Sequence, residues 1–357
     1  MIKNADNSGA VAGYNEGLIS EVISNVTVSG GNYTSGISGV NLKGGTIIKC
    51  TNNGNVSGGS YVSGITASNK GGSISESVNT GLVTATGTFA AGIAADNTND
   101  KDFDGNISRC VNSGHIISTA KSRSAFVGGI IGRNDSNVLS LYNTGNVVSR
   151  GSGVGGCVGI NTVGSKAEKL YSIGDVSGAY QETESSEEFR VGGAVGEMVS
   201  GVSEAYYLNL LDIAASGSNG GEAVPLAEIL IKAESLTEMT DLKKTIDGSL
   251  TLPKSICVGD TVRASYKSGN SKEPIFVWYR DWSGEQEVLA VSDTYTIPNE
   301  LVGTKVYAKC MDNSLSGIVK GKSEEIEGFT GTAKINGYAV EGHKLTVKYS
   351  GIESASA

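Results

Sequence analysis

The chain is poor in proline, in aromatic residues and in positive charge. It has 4 prolines against 51 glycines, and because the glycines follow no strict Gly-X-Y period, collagen is excluded. Its 6% aromatic and 38% hydrophobic content favours a narrow stack of small and branched side chains over the broad core of an enzyme. A net charge of −9 argues against nucleic acid and anionic membranes as partners, since phosphate binding needs clustered Lys and Arg. No apolar run approaches about 18 residues, so the sequence predicts no membrane insertion.

Signatures of catalysis are also missing. The two histidines, His115 and His343, belong to no Cys or His cluster with zinc spacing. The metallopeptidase motif His-Glu-x-x-His is absent, and no Gly-x-Ser-x-Gly elbow accompanies a suitable base. We therefore predict that this chain is not an enzyme and has no catalytic residues.

What the sequence has instead is a glycine-rich repeat of about 27 residues. One copy reads Gly-Gly-Ile-Ile-Gly-Arg-Asn at 128–134. The copies end on Asn15, Asn41, Asn69, Asn97, Asn134 and Asn161. The differences between these numbers are 26, 28, 28, 37 and 27, so one unit carries an insertion. A last, divergent copy ends at Met198.

Each unit contains three short extended segments, separated by glycine and asparagine turns. A unit of this size buries no face alone, whereas stacked units share one core. We therefore predict an all-β fold: a parallel β-helix, or solenoid, of about seven three-strand coils over residues 1–221. The recurrent asparagine is expected to form a ladder at one corner, each side-chain amide bonding to the coils above and below.

Two consecutive segments carry a resemblance to a known family. Val-Gly-Gly-Ile-Ile-Gly-Arg-Asn at 127–134, followed by Leu-Tyr-Asn-Thr-Gly-Asn-Val at 141–147, resembles the GLUG repeat. The resemblance covers about residues 8–209 and is best in coils five and six. GLUG repeats occur in secreted and wall-attached proteins of Gram-positive gut and oral bacteria, including adhesins and immunoglobulin A proteases. The resemblance implies an extracellular or cell-surface location.

A change of pattern after the solenoid predicts a helical cap and linker over residues 222–250. Pro225 suits a first helical turn, Leu226 and Ile229 begin an apolar stripe at helical spacing, and Gly248 ends it. A cap is expected because an open parallel edge invites further pairing. The same stripe also fits an amphipathic helix that binds a partner.

Residues 251–327 resemble the Ig-like domains of bacterial surface and S-layer-associated proteins. The resemblance lies in the segments 276–280, 292–297 and 302–308, and it implies an Ig-like β-sandwich. Three side chains are spaced as inward positions of short antiparallel strands: Trp278, Leu289 and Val306. A tryptophan in the middle of such a sandwich is a core residue rather than a ligand platform.

The chain then begins the same domain again over residues 328–357. The segment Gly259–Tyr266 aligns with Gly342–Tyr349 at an offset of 83 residues. The second copy lacks everything after its first strands, so we expect an incomplete and loosely held Ig-like domain. Both ends of the chain resemble cuts in a longer protein.

The five cysteines give no complete disulfide framework. Cys50 and Cys110 lie at equivalent positions two coils apart, a separation of about 9.6 Å. A disulfide tolerates only about 7 Å, so both are expected to be buried free thiols. Cys157 is also expected in the core. For Cys257 and Cys310 the sequence leaves two alternatives, a bridge within the Ig-like domain or two free thiols.

One acidic motif lies in the insertion of coil four. Asp100, Asp102 and Asp104 alternate and are followed by Gly105, as in the first half of an EF-hand-like calcium loop. The closing glutamate of that loop is missing, and Asp96 is an alternative ligand. We predict Ca²⁺ as the one cofactor, bound by the three alternating aspartates; the competing interpretation is a solvated acidic loop.

Insertions in a solenoid often lie on the face that binds a partner. Residues 98–105, 120–126 and 180–190 are therefore the predicted contact surface. We predict a non-catalytic structural or adhesive module whose solenoid and Ig-like spacer present this surface to a host protein, a glycan or a cell-wall component. The alternative is an accessory region of a larger secreted enzyme, such as a metallopeptidase or a carbohydrate-active enzyme.

Overall fold

Four parallel β-sheets run along one axis in the first two thirds of the chain, and antiparallel sheets follow. The computed structural model describes residues 2–3, 5–120, 122, 124–151, 153–178, 190–199, 201–208, 221–224, 229, 246–282, 285–312, 319–326, 330–336 and 346–353. The four sheets are named A, B, C and D. Each turn of the backbone, called a coil, adds strands to them in that order.

Sheets A and B are built from strands of two or three residues. Sheet A consists of Ile2–Lys3, Val28–Ser29, Val56–Gly58, Val83–Ala85, Ile116–Ser118, Val147–Ser149 and Val176–Gly178. Sheet B consists of Thr34–Ser35, Val62–Ser63, Phe89–Ala91, Phe126–Gly128, Gly153–Gly155 and Arg190–Gly192.

Sheets C and D contain the longer strands. Sheet C consists of Ala12–Asn15, Ser38–Asn41, Thr66–Lys70, Ala94–Thr98, Ile131–Asn134, Val158–Asn161 and Val195–Met198. Sheet D consists of Leu18–Ser20, Ile23–Ser24, Thr46–Ile48, Thr51–Asn52, Ser73–Ser75, Val78–Asn79, Asn106–Asn112, Asn137–Asn143, Lys166–Ser172, Val202–Leu208 and Glu222–Val224.

The predicted parallel solenoid is confirmed, with a different cross-section. It has about six turns rather than seven, and each coil contributes to four sheets rather than three. The reason is a corner at Gly36 and Ile37, which separates the strands Thr34–Ser35 and Ser38–Asn41.

Two apolar columns fill the interior. Between sheets C and D, Ile47, Ile74 and Ile107 lie in register and are buried. Along sheet A, Val56 and Val83 begin a second column that continues through each later coil. Each fully buried side chain of this size stabilises the stack by about 1.5–3 kcal/mol.

The predicted asparagine ladder is confirmed at the turn from sheet C to sheet D. Each Nδ2 donates to the Oδ1 of the next coil at 2.7–2.8 Å. The ladder consists of Asn15, Asn41, Asn69, Asn97, Asn134 and Asn161. Because these buried amides bond to one another, their role is structural.

A second asparagine ladder, which the sequence analysis did not predict, lies at the end of sheet D. It consists of Asn52, Asn79, Asn112 and Asn143, with Nδ2 to Oδ1 distances of 2.8–2.9 Å. Gly64 packs directly on it: a Cβ at that position would lie 2.2 Å from the Asn79 side chain. Glycine is required at this corner because any side chain would displace the ladder.

One position in every coil has a left-handed backbone without being glycine. It lies in sheet D, two residues after the buried apolar column, with φ between 49° and 58°. The column consists of Glu21, Lys49, Arg109, Ser140, Lys169 and Glu204, with Glu76 at φ 49°. Non-glycine residues adopt this conformation at a cost of about 1–2 kcal/mol each, which neighbouring coils offset.

Residues 249–326, here called the C-terminal part, contain one four-stranded antiparallel sheet and two strand pairs among the described residues. The four-stranded sheet has the order Glu285–Val291, Ile275–Trp282, Lys305–Met311, Val319–Glu325. The pairs are Ser249–Thr251 with Ser265–Lys267, and Thr261–Arg263 with Thr294–Thr296. A short 3₁₀ turn spans Asn299–Leu301. The predicted antiparallel β-structure is observed, while the finer Ig-like assignment stays a prediction.

The core of the C-terminal part surrounds Trp278. Its side chain is fully buried and donates from Nε1 to the carbonyl of Ser292 at 2.8 Å. Val306 is buried beside it and Leu289 is partly buried against the same cluster, so all three predicted inward positions contact the core. Cys310 is buried there as a free thiol.

All five cysteines are free and buried. This confirms the expectation for Cys50, Cys110 and Cys157, and it decides the alternatives for Cys257 and Cys310 in favour of free thiols.

Most of the predicted helical cap lies outside the described residues. At its two ends the chain forms strands: Glu222–Val224 adds to sheet D, and Ser249–Thr251 belongs to the C-terminal part. Further on, Thr330–Asn336 and Thr346–Glu353 pair as an antiparallel two-stranded sheet.

Candidate functional site

The predicted calcium loop forms a tight turn between sheets C and D. Asp100 and Phe103 exchange backbone hydrogen bonds of 2.8 and 3.0 Å, and Asp102 and Asp104 are exposed. The Asp104 carboxylate accepts a hydrogen bond from Asn137 at 3.2 Å. Within the described part of the chain, no group of three or more His, Cys, Asp or Glu side chains is placed to hold a metal ion. Calcium at this loop stays a prediction.

Asp96, the alternative ligand, is engaged elsewhere. Its carboxylate accepts two hydrogen bonds from Arg133, at 2.7 and 3.2 Å. Burial raises the pKa of Asp96, and the guanidinium opposes that rise. A carboxylate that is buried and paired with a cation is a poor ligand for calcium, because the metal would have to displace the guanidinium.

The predicted contact surface is divided between two corners of the solenoid. Residues 98–105 connect sheet C to sheet D, whereas 120–126 connect sheet A to sheet B. The segment 180–190 also falls between a sheet A strand and a sheet B strand, and 179–189 lie outside the described residues. The segments 98–105 and 120–126 therefore lie at different corners and do not form one continuous face.

A groove of about 360 Å³ lies on the outer face of sheet D, beside the 98–105 turn. Three adjacent strands line it with side chains of mixed chemistry. The outward-facing lining consists of Asn106, Ser108, Asn137, Leu139, Lys166 and Glu168. Amides, a hydroxyl, an ammonium and a carboxylate thus converge around one exposed leucine.

The 98–105 turn forms one rim of this groove. Asp104 bonds to the groove residue Asn137, whereas the Phe103 ring lies beside Gly71 and Lys43 of the preceding coils. Leu139 is 43% exposed. The groove therefore offers the apolar surface of Leu139 next to polar groups, a combination that orients a small polar ligand.

An aromatic column lies on the opposite side of sheet C, along the edge of sheet B. Tyr33, Tyr61, Phe89 and Phe126 follow one another at centroid distances of 4.5, 4.8 and 5.9 Å. The Arg133 guanidinium lies 5.3 Å from the Phe89 centroid. Because the rings pack against each other, we interpret the column as packing rather than as a ligand platform.

A second group of buried polar side chains lies where the solenoid meets the C-terminal part. His115 precedes a sheet A strand and is fully buried. Its Nδ1 accepts the backbone N–H of Asn146 at 3.0 Å, and its Nε2 lies 2.9 Å from the carbonyl oxygen of Asp312. A backbone N–H only donates and a carbonyl only accepts, so Nδ1 carries no proton and Nε2 carries one.

Lys309 crosses the same boundary. It is 1% exposed, and its ammonium donates to the Ser177 hydroxyl at 2.9 Å and lies 3.6 Å from the Asp175 carboxylate. The Tyr279 ring lies 5.1 Å from the ammonium. A buried lysine of this kind is tolerated because it is paired and hydrogen-bonded.

An apolar contact completes this interface. Ile117 and Val148 project from the outer face of sheet A and pack against Val277 and Met311 of the C-terminal part. The repeat pattern did not predict this interface. The available signal was His115 itself, which occupies a column that holds asparagine, leucine or aspartate in the other coils.

The chain matches neither a family model nor a curated protein. In the part of the chain that the structure describes, no helix is both long and apolar enough to cross a membrane.

Proposed function

We propose that this chain is a non-catalytic module of a secreted or wall-attached bacterial surface protein, in which the solenoid holds a glycan-binding groove. The groove on sheet D supports the proposal most directly, because amide, hydroxyl and charged side chains surround exposed apolar surface there. Sugars present hydroxyls to such polar groups and C–H faces to apolar ones. The resemblance to GLUG repeats supports the extracellular location.

Rigidity is the second element of the proposal. Two asparagine ladders join neighbouring coils through side chains, one from Asn15 to Asn161 and the other from Asn52 to Asn143, in addition to the backbone bonds of four sheets. A stack joined in this way holds the groove in fixed geometry and at a fixed distance from the C-terminal part. These properties suit a module that presents a surface, whether in an adhesin or beside an enzyme domain of a larger protein.

A glycan array that includes host glycans and cell-wall fragments tests the proposal. The wild-type chain is compared with Leu139→Lys, which places a long cation in the groove. The matched control is Leu18→Lys, because Leu18 is a 68% exposed leucine on the same sheet in the first coil. Both are surface substitutions and are expected to change stability by no more than about 0.5 kcal/mol.

We expect Leu139→Lys to weaken glycan binding at least tenfold, a loss of about 1.4 kcal/mol, with Leu18→Lys unchanged. Equal binding by all three proteins would show that the groove is not the site. Binding of a host protein that is lost in Leu139→Lys would keep the groove and replace the glycan by a protein partner.

A further inference from the structure

The groove on sheet D lies on two columns of outward side chains that run along the solenoid axis. The strands pair in continuous register, so each coil places two outward residues beside those of the next coil. From coil three to coil six, one column begins at Ser73 and ends at Lys166, and the other consists of Ser75, Ser108, Leu139 and Glu168. Successive coils are about 4.8 Å apart, so each column is a regular series of positions at that spacing.

Two boundaries make this surface narrow in the direction of the strands. On one side the 98–105 turn reaches the groove, where Asp104 accepts a hydrogen bond from Asn137 at 3.2 Å. On the other side the strands turn at the left-handed position, and the next outward residue of coil five, Tyr142, is buried in a cluster with Ile229. The two outward positions of one strand span about 7 Å, a width comparable to one sugar ring. The long dimension of the surface is therefore the axis, along which three coils line the groove.

The side chains of the two columns favour an uncharged ligand. Of the six outward-facing residues that line the groove, Lys166 and Glu168 alone are charged, and their formal charges cancel. Neither column contains an aromatic side chain between coils three and six, so no ring in them stacks on the face of a sugar. Each sugar then makes only hydrogen bonds and a small apolar contact, and firm binding requires several sugars at once.

We propose, on the basis of the glycan-binding function proposed above, that the ligand is a linear, uncharged polysaccharide that lies along the solenoid axis with one sugar on each coil. In an extended β-1,4-linked chain, each sugar advances the chain by nearly the same distance as one coil, about 4.8 Å. Successive sugars therefore meet equivalent pairs of positions, such as Asn106 and Ser108 on coil four. Coil three continues the track beyond the groove, because Ser73 and Ser75 face outward in register with that pair and are half-buried.

Calorimetry on the full chain with cello-oligosaccharides and chito-oligosaccharides of two to six sugars tests this orientation. Both series are linear, uncharged and β-1,4-linked. We expect the affinity to rise about tenfold or more from the disaccharide to the tetrasaccharide, because four sugars reach from coil six to coil three. A branched mannose oligosaccharide of the same size cannot follow a straight column and should bind no more tightly than the disaccharide.

Ser75→Lys places a long side chain on the track one coil beyond the groove, in register with Ser108. We expect it to lower the tetrasaccharide affinity about tenfold, to that of the disaccharide, and to leave the disaccharide affinity unchanged. Ser73→Lys, in the other column of the same coil, should have the same effect. The matched control is Ser20→Lys, because Ser20 is an exposed residue of the Ser75 column in coil one, beyond the reach of four sugars bound from coil six. Equal melting temperatures would show that the variants are folded.

Leu139→Lys separates the orientation of the ligand from the location of the site. If it weakens binding while the disaccharide and the tetrasaccharide bind equally well, the ligand does not lie along the axis. The same conclusion holds if Ser75→Lys and Ser73→Lys leave the tetrasaccharide affinity unchanged, or if a branched or charged glycan depends on Leu139 and no oligosaccharide of the two series binds. If Leu139→Lys weakens the binding of no glycan, the groove is not the site, and the orientation falls with it.

Discussion

The solenoid and the C-terminal part are both all-β, and they are held together in different ways. In the solenoid, every coil contacts its neighbours through parallel strands and side-chain ladders, so each contact is repeated along the axis. The C-terminal part has antiparallel strands around a single cluster centred on Trp278. One region distributes its stability over equivalent steps, and the other depends on a few large side chains.

This difference predicts different responses to damage. In a stack whose units contact only their neighbours, stability is approximately a sum of unit and interface terms. In a small domain with one core, the loss of a central side chain affects every strand. Each of the following measurements is expected to separate the two regions.

The largest expected effect concerns thiol reactivity. Burial raises the pKa of Cys110, Cys157 and Cys310 from 9.0 to about 12. This difference of three pH units reduces the reactive thiolate about a thousandfold at pH 8. We expect iodoacetamide to label these cysteines at least that much more slowly in the native protein than in denaturant, and peptide mass spectrometry measures the rates.

The same labelling compares the regions, because Cys157 lies in the solenoid core and Cys310 in the C-terminal core. With increasing urea, the two should become reactive at different concentrations. Coincident labelling at every urea concentration would mean that both regions open together.

Trp278→Ala is expected to lower the stability of the C-terminal part by about 3–5 kcal/mol. The indole is fully buried and its Nε1–H is bonded to Ser292, so truncation removes both packing and a hydrogen bond. Hydrogen exchange measured by mass spectrometry should show lost protection in residues 249–326 and retained protection in the solenoid.

Trp278→Phe is the milder control and should show a smaller loss. If the solenoid strands lose protection to the same extent as the C-terminal strands, the contrast between the regions is incorrect.

Asn112→Ala tests the ladders. Asn112 donates to Asn143 and accepts from Asn79, both at 2.8 Å, so its removal leaves buried polar groups without partners. We expect a loss of about 1–3 kcal/mol in the urea unfolding of the solenoid.

Asn53→Ala is matched to this change, because Asn53 bonds to Asn25 of the preceding coil at 2.9 Å but both side chains are exposed. It should change stability by no more than about 0.5 kcal/mol. Equal losses of stability in the two variants would show that a buried ladder hydrogen bond stabilises the solenoid no more than an exposed one.

Calcium is expected to have the smallest effect. The carboxylates of this loop are not grouped around one point, so the loop must rearrange to bind calcium, which is consistent with an affinity in the millimolar range of extracellular sites. Calorimetry should detect binding that Asp102→Asn abolishes, with a gain in stability below about 1 kcal/mol at a concentration near the Kd.

Glu16→Gln, an exposed acidic position at the same corner in the first coil, is the control and should leave calcium binding unchanged. If the wild-type chain gives no calcium heat and no change in melting temperature, the prediction is wrong.

Much of the solenoid was predictable because a repeat places equivalent residues in equivalent positions. The ladder from Asn15 to Asn161 follows directly from the spacing of the asparagines. The four-sheet cross-section does not, because strands as short as Thr34–Ser35 have too few residues to show a hydrophobic period. The second ladder was visible in the sequence as recurrent Asn-x-Gly, for example at Asn79, and was not recognised as a column.

The docking interface was much harder to predict. His115 and Asp312 are 197 residues apart, and no repeat relates them. The groove on sheet D likewise depends on outward side chains such as Leu139, which vary between coils because the core does not constrain them. Positions that are equivalent in every coil are predictable from the repeat. Outward positions that differ between coils, and contacts between the solenoid and the C-terminal part, are not.

The left-handed column in sheet D has a consequence for how such a protein changes length during evolution. Each coil adopts this backbone at the same position, as at Lys49 and Lys169, and the equivalent residues of adjacent coils lie beside one another. A duplication or deletion of one whole unit keeps the column continuous, whereas a shift of one residue within a strand would place the strained conformation against an extended neighbour. Recombination between units is therefore tolerated in whole steps of about 27 residues, and smaller insertions persist only at the corners, as at 98–105.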